Sequence, residues 1–348
     1  MKIDLETINE VLAMYKINGQ VTNIHYFIHY YDETNAEVKI ICKVKFADRN
    51  PLVVKFVREK EHPTHIIESQ SVFSDYLRKH GILTPKRYVS KGRYCQNYKL
   101  NHLKVAVTVE DYLGEEIKAI DLTLAYKLGQ LLGKIHRISE EGNCLIGSPT
   151  IFNLVGYNEV SGYDAFCKLG DSGAIDTVMY RKINELYTKK LETVKLAWNR
   201  LPRFATQGDI SINNLSYIEG DIGIYDYNIA GDETLVGDMV LEGLLTACEM
   251  DLADGLTDND RKELFIYFYK GYITERPLSD DEKGVLSDIY SLSSALWFTK
   301  IKHNDSSLEN LVECEAFDKV ERLLEEIYAV LHKDHHELFE FNSIQGGS

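Results

Sequence analysis

The stretch Thr206–Asn214, Thr-Gln-Gly-Asp-Ile-Ser-Ile-Asn-Asn, decides which fold this chain is expected to adopt. Asp209 and Asn214 lie five positions apart, and Asp226 follows twelve residues after Asn214, at the end of the short apolar run Ile222–Tyr225. Turn-forming residues around such short runs predict a loop, then a β-hairpin, then a second acidic loop.

The residue types in this stretch suit phosphoryl transfer. That reaction needs a carboxylate to take the proton of the acceptor hydroxyl, and oxygen ligands for a metal that neutralises developing charge. Asp209 is the candidate base, with Gly208 allowing the backbone to bend just before it. Asn214 and Asp226 offer an amide and a carboxylate oxygen, which suit Mg²⁺. The alternative is an ordinary polar turn, since Gly, Asp and Asn are common turn formers.

The segment resembles the catalytic loop of the aminoglycoside phosphotransferase and small-molecule kinase family, part of the protein-kinase-like superfamily. In that family His-Gly-Asp is followed by Asn five residues after the Asp. The resemblance implies that Asp209 is the catalytic base and that Asn214 and Asp226 hold magnesium. Gln207 occupies the place of the family's usual His, and a glutamine can also donate and accept hydrogen bonds.

Composition limits the other function classes. The 348 residues, 44% hydrophobic and 27% charged, are typical of a globular protein with one or two domains. The formal charge of −15 and the lack of a basic stripe argue against nucleic-acid binding. The six cysteines occur singly, which predicts reduced residues rather than disulfides or a zinc site. With no secretory signal and no membrane-spanning run, we expect a cytoplasmic protein with a small-molecule partner; the oligomeric state stays open.

The N-terminal third predicts an antiparallel sheet followed by a helix. Runs rich in Val, Ile, Tyr and Phe cover 21–31, 37–46 and 51–57, with turn residues between them. Lys55 lies among apolar neighbours in the third run, so it either faces solvent or meets an anion. The resemblance favours a lysine that grips the nucleotide phosphates, held by Glu68 of the next helix, although Gln70 lies nearer the family's usual position.

A strand from Val105 to Val109 then leads into Glu110–Gly114. In the family this is the hinge between lobes, where backbone amide and carbonyl groups pair with the adenine edge. The resemblance therefore implies that Asp111 and Tyr112 contact ATP. An ordinary strand end remains the alternative, because backbone pairing leaves little side-chain signature.

The C-terminal part is predicted to be mainly helical, beginning with an apolar stripe over Asp121–Ile138. We interpret His136 in this helix as structural. Asp238 matches a family aspartate that braces the catalytic loop, with helix capping as the alternative. Three further acids, Asp232, Glu233 and Glu242, add negative charge near the expected acceptor cleft.

Together these patterns predict an α+β, protein-kinase-like bilobal fold. An antiparallel β-rich, nucleotide-binding small lobe would cover residues 1–111, and a mainly α-helical catalytic and acceptor-binding lobe would cover 112–348. The expected function is that of an ATP- and Mg²⁺-dependent kinase, which transfers the γ-phosphate to a hydroxyl of a small molecule. Amino-bearing molecules are among the expected acceptors. The alternative is a non-catalytic kinase-like protein that binds a nucleotide or a partner, because of Gln207 and the missing Gly-x-Gly-x-x-Gly motif. A protein kinase is disfavoured, because no Ala-Pro-Glu segment follows Asp226.

Overall fold

The computed structural model describes residues 3–59, 63–150, 152–156, 158–218 and 220–340. The C-terminal segment 341–348, expected from the sequence to pack loosely, lies outside this description. The chain divides into two compact units. The first contains Met1–Lys118, Ile138–Ser148 and Asp209–Asp232, and the second contains Ala119–Arg137, Pro149–Gly208 and Glu233–Ser348. The predicted lobe boundary between residues 111 and 112 stays a prediction.

The first unit is built on a five-stranded antiparallel sheet with strand order β1-β2-β3-β5-β4. This confirms the predicted β-rich, antiparallel N-terminal part. Its strands are β1 Val21–Asp32, β2 Glu37–Phe46, β3 Leu52–Arg58, β4 Gln96–Leu100 and β5 Leu103–Asp111. Two helices, α1 Leu5–Met14 and α2 Thr64–Lys79, belong to the same unit.

Alternation along the strands explains how the sheet is oriented. The even-numbered residues of β2, from Val38 to Val44, are buried in one hydrophobic cluster that also contains Ile8, Val11 and Leu12 of α1. Successive side chains of a strand point to opposite faces, so the odd-numbered residues of β2 lie on the other face. Burial of each large apolar side chain contributes roughly 1.5–3 kcal/mol, which fixes the register against a one-residue slip.

The deciding stretch folds as its spacing predicts. A 3-10 turn, Ile212–Asn214, leads into the antiparallel hairpin of β7 Leu215–Ile218 and β8 Asp221–Ile224. Asp226 follows that hairpin in the first unit. The loop, hairpin and second acidic loop are therefore confirmed.

The second unit is mainly helical, which confirms the prediction for the C-terminal part. Its helices are α3 Leu122–Glu141, whose last turn belongs to the first unit, α4 Tyr163–Asp171, α5 Thr177–Trp198, α6 Leu235–Cys248, α7 Arg261–Glu275, α8 Asp280–Ala295, α9 Phe298–Ile301, α10 Leu308–Glu313 and α11 Phe317–His332. Two short strands complete the set, β6 Arg203–Thr206 and β9 Gly231–Thr234, the latter crossing the unit boundary. Among the described residues, no helix is long and apolar enough to cross a membrane.

Helices α3 and α7 approach each other through glycines. A Cβ atom added at Gly271 would lie 1.9 Å from the carbonyl oxygen of Tyr126, and one at Gly129 would lie 1.8 Å from the carbonyl oxygen of Phe268. Such distances between a Cβ and a backbone atom are impossible without moving a helix. The two glycines are therefore required by packing.

We expect Gly271→Ala to destabilise the protein by about 1–3 kcal/mol or more, because α3 and α7 must separate to admit the methyl group. Gly284→Ala is the matched control, since Gly284 is exposed in α8 and its added Cβ would meet nothing within 4 Å. That substitution should stabilise by about 0.5–1 kcal/mol through helix propensity. Urea unfolding of both variants measures the difference, and equal midpoints would contradict the packing argument.

Candidate active site

Asp209 lies in a tightly bonded loop at the start of the hairpin segment. Gly208 has φ +78°, a left-handed conformation that favours glycine, so the predicted backbone bend is present. Asn214 donates from Nδ2 to Asp209 Oδ2 at 2.7 Å and to its carbonyl oxygen at 3.1 Å. The amide of Ser211 donates to Asp209 Oδ1 at 3.2 Å. These bonds hold the half-buried carboxylate in one orientation.

Asp226 and Lys55 meet in the first unit although they are 171 residues apart in sequence. Asp226 follows β8 with φ +59°, a left-handed conformation that aspartate tolerates better than most residues. Lys55 extends from β3 and donates from Nζ to Asp226 Oδ1 at 3.1 Å. The lysine therefore faces an anionic group rather than open solvent, and 11% of its side chain is exposed.

The end of β5 forms one wall of the same region. Tyr112 donates its amide N–H to the carbonyl of Pro51 at 3.1 Å. Pro51 has no N–H to return a bond to the Tyr112 carbonyl, so the sheet ladder ends there. The Tyr112 ring lies under Lys43, whose Nζ is 3.3 Å from the ring centroid. Asp111 accepts a hydrogen bond from the Tyr88 hydroxyl at 2.9 Å.

Of these residues, Lys55, Asp111, Tyr112, Asn214 and Asp226 line a cavity of about 390 Å³, and the whole lining belongs to the first unit. Apolar side chains from the sheet, the segment after β5 and the loop after β8 form much of the wall, while Lys55, Asn214 and Asp226 supply polar groups. The lining includes Phe27, Ile28, Ile41, Val53, Pro85, Leu113 and Tyr225. A concave, mostly apolar pocket with a few convergent polar groups is the usual form of a small-molecule site.

Comparison with solved structures identifies the fold. Amicoumacin kinase hAmiN, solved in complex with AMP-PNP, Ca²⁺ and Ami, matches with a TM-score of 0.58 and 14% identity over 97% of each chain. A microcompartment-associated aminopropanol kinase matches with a TM-score of 0.55 and 17% identity over 94% of this chain and 100% of that one. An aminoglycoside phosphotransferase from Alicyclobacillus acidocaldarius matches with a TM-score of 0.54 and 12% identity over 95% and 97% of the chains.

The chain has the fold of small-molecule kinases. The predicted protein-kinase-like architecture is thereby confirmed. No protein-family model and no curated protein matches the sequence. At these identities the likeness extends to the fold, so the chemistry has to be argued from the residues of this chain.

Within this kinase fold, the structure corrects the expected partner of Lys55. Glu110, not Glu68, forms the second ion pair, at 2.9 Å from Lys55 Nζ. Arg87 holds the other oxygen of Glu110 at 3.2 Å. The Glu68 carboxylate instead accepts the backbone N–H groups of Tyr94 and Cys95, at 3.1 and 2.7 Å. Glu68 therefore stabilises the approach to β4.

Sequence reasoning missed Glu110 because the relevant neighbour lies across the sheet. In the register of β3 with β5, Lys55 is opposite Thr108 and Val53 is opposite Glu110. Glu110 is thus two residues along from the direct partner, a diagonal position that a long side chain can reach. An antiparallel pairing of the two predicted strands, counted back from Leu52 opposite Asp111, places Glu110 beside Lys55.

Gln70 lies near the expected position of the helix residue that partners Lys55, but it has a different role. Its buried side chain donates from Nε2 to the carbonyls of Asn228 and Ala230, at 2.7 and 3.1 Å. These carbonyls come two and four residues after Asp226. Gln70 therefore fixes the segment that follows Asp226, which limits where that carboxylate can lie.

Charge and burial set the protonation of the three central groups. Burial and the nearby charge of Asp226 raise the pKa of Asp209, against the hydrogen bonds of Ser211 and Asn214. Burial also opposes ionisation of Asp226, but the charge and hydrogen bond of Lys55 outweigh it and lower the pKa of Asp226. For Lys55, burial is outweighed by Asp226 and Glu110, so its pKa is raised. The lysine and Asp226 are a charged pair, while Asp209 is the more basic carboxylate.

Three further residues considered in the sequence analysis, His136, Asp238 and Gln207, are buried in the second unit. His136 is fully buried, with Nε2 2.9 Å from Asp238 Oδ2 and Nδ1 2.8 Å from the Tyr272 hydroxyl. Burial lowers the pKa of His136 despite the Asp238 hydrogen bond and charge, which favours the neutral ring. These contacts support the interpretation of His136 as structural and give Asp238 a partner in that unit. Gln207 is fully buried as well.

Two of the acids expected near an acceptor cleft, Asp232 and Glu233, accept hydrogen bonds from backbone groups of their own units. Asp232 accepts the N–H groups of Ile146 and Gly147, at 2.7 and 2.9 Å. Glu233 is fully buried and accepts the N–H of Thr234 at 2.7 Å. Their hydrogen bonds give them local structural roles.

Proposed function

We propose that this protein is an ATP- and Mg²⁺-dependent phosphotransferase that acts on a hydroxyl group of a small molecule. The observation that carries the proposal is the 3.1 Å contact of Lys55 with Asp226 at a cavity of about 390 Å³ that Asn214 also lines. Asn214 is in turn bonded to the Asp209 carboxylate at 2.7 Å. The cationic phosphate ligand thus contacts one proposed metal ligand, the carboxylate base contacts the other, and both metal ligands line the same cavity.

The nucleotide would lie in the cavity with its base against the end of β5. Apolar side chains such as Ile41 and Val53 fit the faces of a purine. The carbonyl of Tyr112, to which Pro51 cannot return a hydrogen bond, is available beside its edge. Lys55 would then contact the phosphates and share its charge between them and Glu110.

The donor set fits a magnesium ion. Nδ2 of Asn214 is committed to Asp209 and to Ser211 Oγ, at 2.7 and 3.2 Å, which leaves Oδ1 as the atom that could bind a cation. Asp226 supplies a carboxylate that stays ionised because its pKa is lowered. Mg²⁺ prefers one or two such protein oxygens, with phosphate oxygens and water completing the shell. The bound ion would supply charge neutralisation for the transferring phosphoryl group.

Asp209 would orient the acceptor hydroxyl and take its proton. Its raised pKa makes it a better proton acceptor than an ordinary aspartate, and Asn214 with Ser211 fixes its direction. Amino-bearing alcohols are the first acceptors to test, because the net charge of −15 favours a cationic substrate. Two of the structural neighbours are an aminopropanol kinase and an aminoglycoside phosphotransferase.

Thermal unfolding with and without ATP and Mg²⁺ tests the first half of the proposal. At a ligand concentration of about 100 Kd the stabilisation should reach roughly 2.7 kcal/mol. Transfer assays across sugars, amino alcohols, hydroxy amino acids and aminoglycosides then test the second half. If ATP and Mg²⁺ do not stabilise the protein and no acceptor is phosphorylated, the proposal is overturned.

A second candidate is a non-catalytic protein of the same fold that binds a nucleotide or a partner. Gln207 favours it, because this buried glutamine stands where the resembling family usually has His before its Gly-Asp. Stabilisation by ATP and Mg²⁺ without transfer to any acceptor would support this candidate. If Gln207 alone prevents catalysis, replacing it by His should produce transfer, whereas transfer that stays undetectable would show that another part of the site is also non-catalytic.

A further inference from the structure

Strand β2 presents a cationic face on the side of the sheet that lines the cavity. Its even-numbered residues are buried in the core, and its odd-numbered residues include Lys39, Ile41, Lys43 and Lys45. Ile41 lines the cavity, which shows that this face is the cavity side. Three lysines on one strand face are notable in a chain with 54 acidic and 39 basic residues.

Lys55 lies at the centre of this face. It is directly opposite Ile41 in the register of β2 with β3, while Lys39 is opposite Val57 and Lys43 is opposite Val53. Lys39 and Lys43 are therefore the two diagonal neighbours of Lys55. Like charges so close together are destabilising unless anions compensate them.

Lys39, Lys43 and Lys55 each have an acidic partner, but the distance from the ammonium nitrogen to the carboxylate differs. Lys55 has Glu110 at 2.9 Å and Asp226 at 3.1 Å. Lys43 has Glu115 at 3.3 Å and also lies on the Tyr112 ring. Lys39 has Glu59 at 3.6 Å, which is longer than a hydrogen bond. Lys39 is therefore the lysine that can change partner at the lowest cost.

The row has a direction relative to the cavity. Lys43 lies at the Tyr112 end, where the base is expected, and Ile41 forms part of the cavity wall. Lys39 lies two residues further along β2, on the side away from Tyr112. A nucleotide with its base at Tyr112 and its first phosphates at Lys55 would thus extend its outer phosphates towards Lys39.

A second, smaller cavity marks that end of the row. It has a volume of about 40 Å³, and its lining includes Lys39, Lys55 and Asp226. Lys55 and Asp226 also line the larger cavity, so the two adjoin.

We propose that Lys39 is a second phosphate-binding lysine. Its ammonium group gives up the ion pair with Glu59 and contacts the outer phosphates of a nucleoside triphosphate. The chain has no Gly-x-Gly-x-x-Gly between β1 and β2, and the turn there begins Asp32-Glu-Thr-Asn35. An acidic turn does not attract phosphates, so a lysine on the strand would add to the positive charge that the bound Mg²⁺ supplies. This inference rests on the proposed function, because it assumes that the cavity binds a nucleotide.

Calorimetric titration of Lys39→Met with ATP, ADP, AMP and adenosine in the presence of Mg²⁺ tests the inference. We expect ATP to bind about tenfold to a hundredfold more weakly, as for loss of one charge-assisted contact. AMP and adenosine should bind as they do to the unsubstituted protein. Lys45→Met, which removes an exposed lysine from the same strand face, is the matched control and should leave all four affinities unchanged.

Glu59→Gln tests the same contact in the opposite direction. If Glu59 competes with the phosphates for Lys39, removing its charge should tighten ATP binding about threefold or more while leaving AMP binding unchanged. This variant keeps the test decisive if Lys39→Met fails to fold.

The outcomes separate the two levels of argument. If the unsubstituted protein does not bind ATP, the proposed function fails and the role of Lys39 with it. If it binds ATP and Lys39→Met binds ATP equally well, only the role of Lys39 is overturned. An equal loss for ATP and AMP would also overturn it, because the contact would then not be with the outer phosphates.

Discussion

Asp209→Asn should lower turnover by about a hundredfold to ten-thousandfold and leave nucleotide affinity nearly unchanged. Asparagine keeps the shape of the side chain, and its amide oxygen can still accept from Ser211 or Asn214, which bond to Asp209 at 3.2 and 2.7 Å. It cannot take a proton from the acceptor. Steady-state kinetics with an acceptor from the transfer screen, together with calorimetric ATP titration, measure the two effects separately.

Asp221→Asn is the control for this prediction. Asp221 begins β8 in the same hairpin segment and is exposed, so its charge can be removed without touching the bonded loop. Its turnover should match that of the unsubstituted protein. Unchanged turnover in Asp209→Asn would remove Asp209 from the role of base, and equal losses in both variants would indicate a general electrostatic effect.

The pH profile offers an independent readout of the same residue. Burial and the charge of Asp226 raise the pKa of Asp209 above its ordinary 3.8. The base form is therefore lost, as pH falls, earlier than for an exposed aspartate. The acid limb of kcat/KM should lie above pH 3.8 by the amount of this shift, and the residual activity of Asp209→Asn should lack that limb.

The loop and hairpin could be predicted from the sequence because their determinants are local. Gly208, Asp209 and Asn214 form their turn and their hydrogen bonds within seven positions, where spacing and turn chemistry decide the conformation. The sheet could be predicted for the same reason, since runs rich in Val, Ile, Tyr and Phe with turn residues between them can be recognised without knowing their neighbours in space.

The ion pairs could not be predicted as easily, because they depend on pairing between distant segments. The place of Glu68 on the helix after β3 favours it as the partner of Lys55, but the helix directs its carboxylate to the amides of Tyr94 and Cys95. Glu110 reaches Lys55 only because of the register between β3 and β5. Burial adds information of the same non-local kind, since the charge state of Asp226 depends on Lys55.

Lys55→Met should abolish measurable ATP binding and lower the free energy of unfolding by about 3–5 kcal/mol. The lysine compensates two carboxylates at 2.9 and 3.1 Å, and the side chain of Glu110 is only 3% exposed. Removing the ammonium leaves Asp226 and Glu110 with like charge in a partly desolvated region. Calorimetric titration and urea unfolding at neutral pH measure the two effects, with Lys45→Met as the control that should change neither.

The double variant Lys55→Met, Asp226→Asn separates the two roles of this lysine. Glu110 keeps its ion pair with Arg87, so Asp226 is the carboxylate that loses its cation. Neutralising Asp226 removes that charge, so part of the lost stability should return. ATP binding should not return, because the phosphates still lack their cation and the metal lacks its carboxylate ligand. If stability stays as low as in the single variant, the Lys55–Asp226 pair is not what the lysine stabilises. If ATP binds to the single variant as tightly as to the unsubstituted protein, Lys55 does not contact the phosphates, and the nucleotide site has to lie elsewhere in the chain.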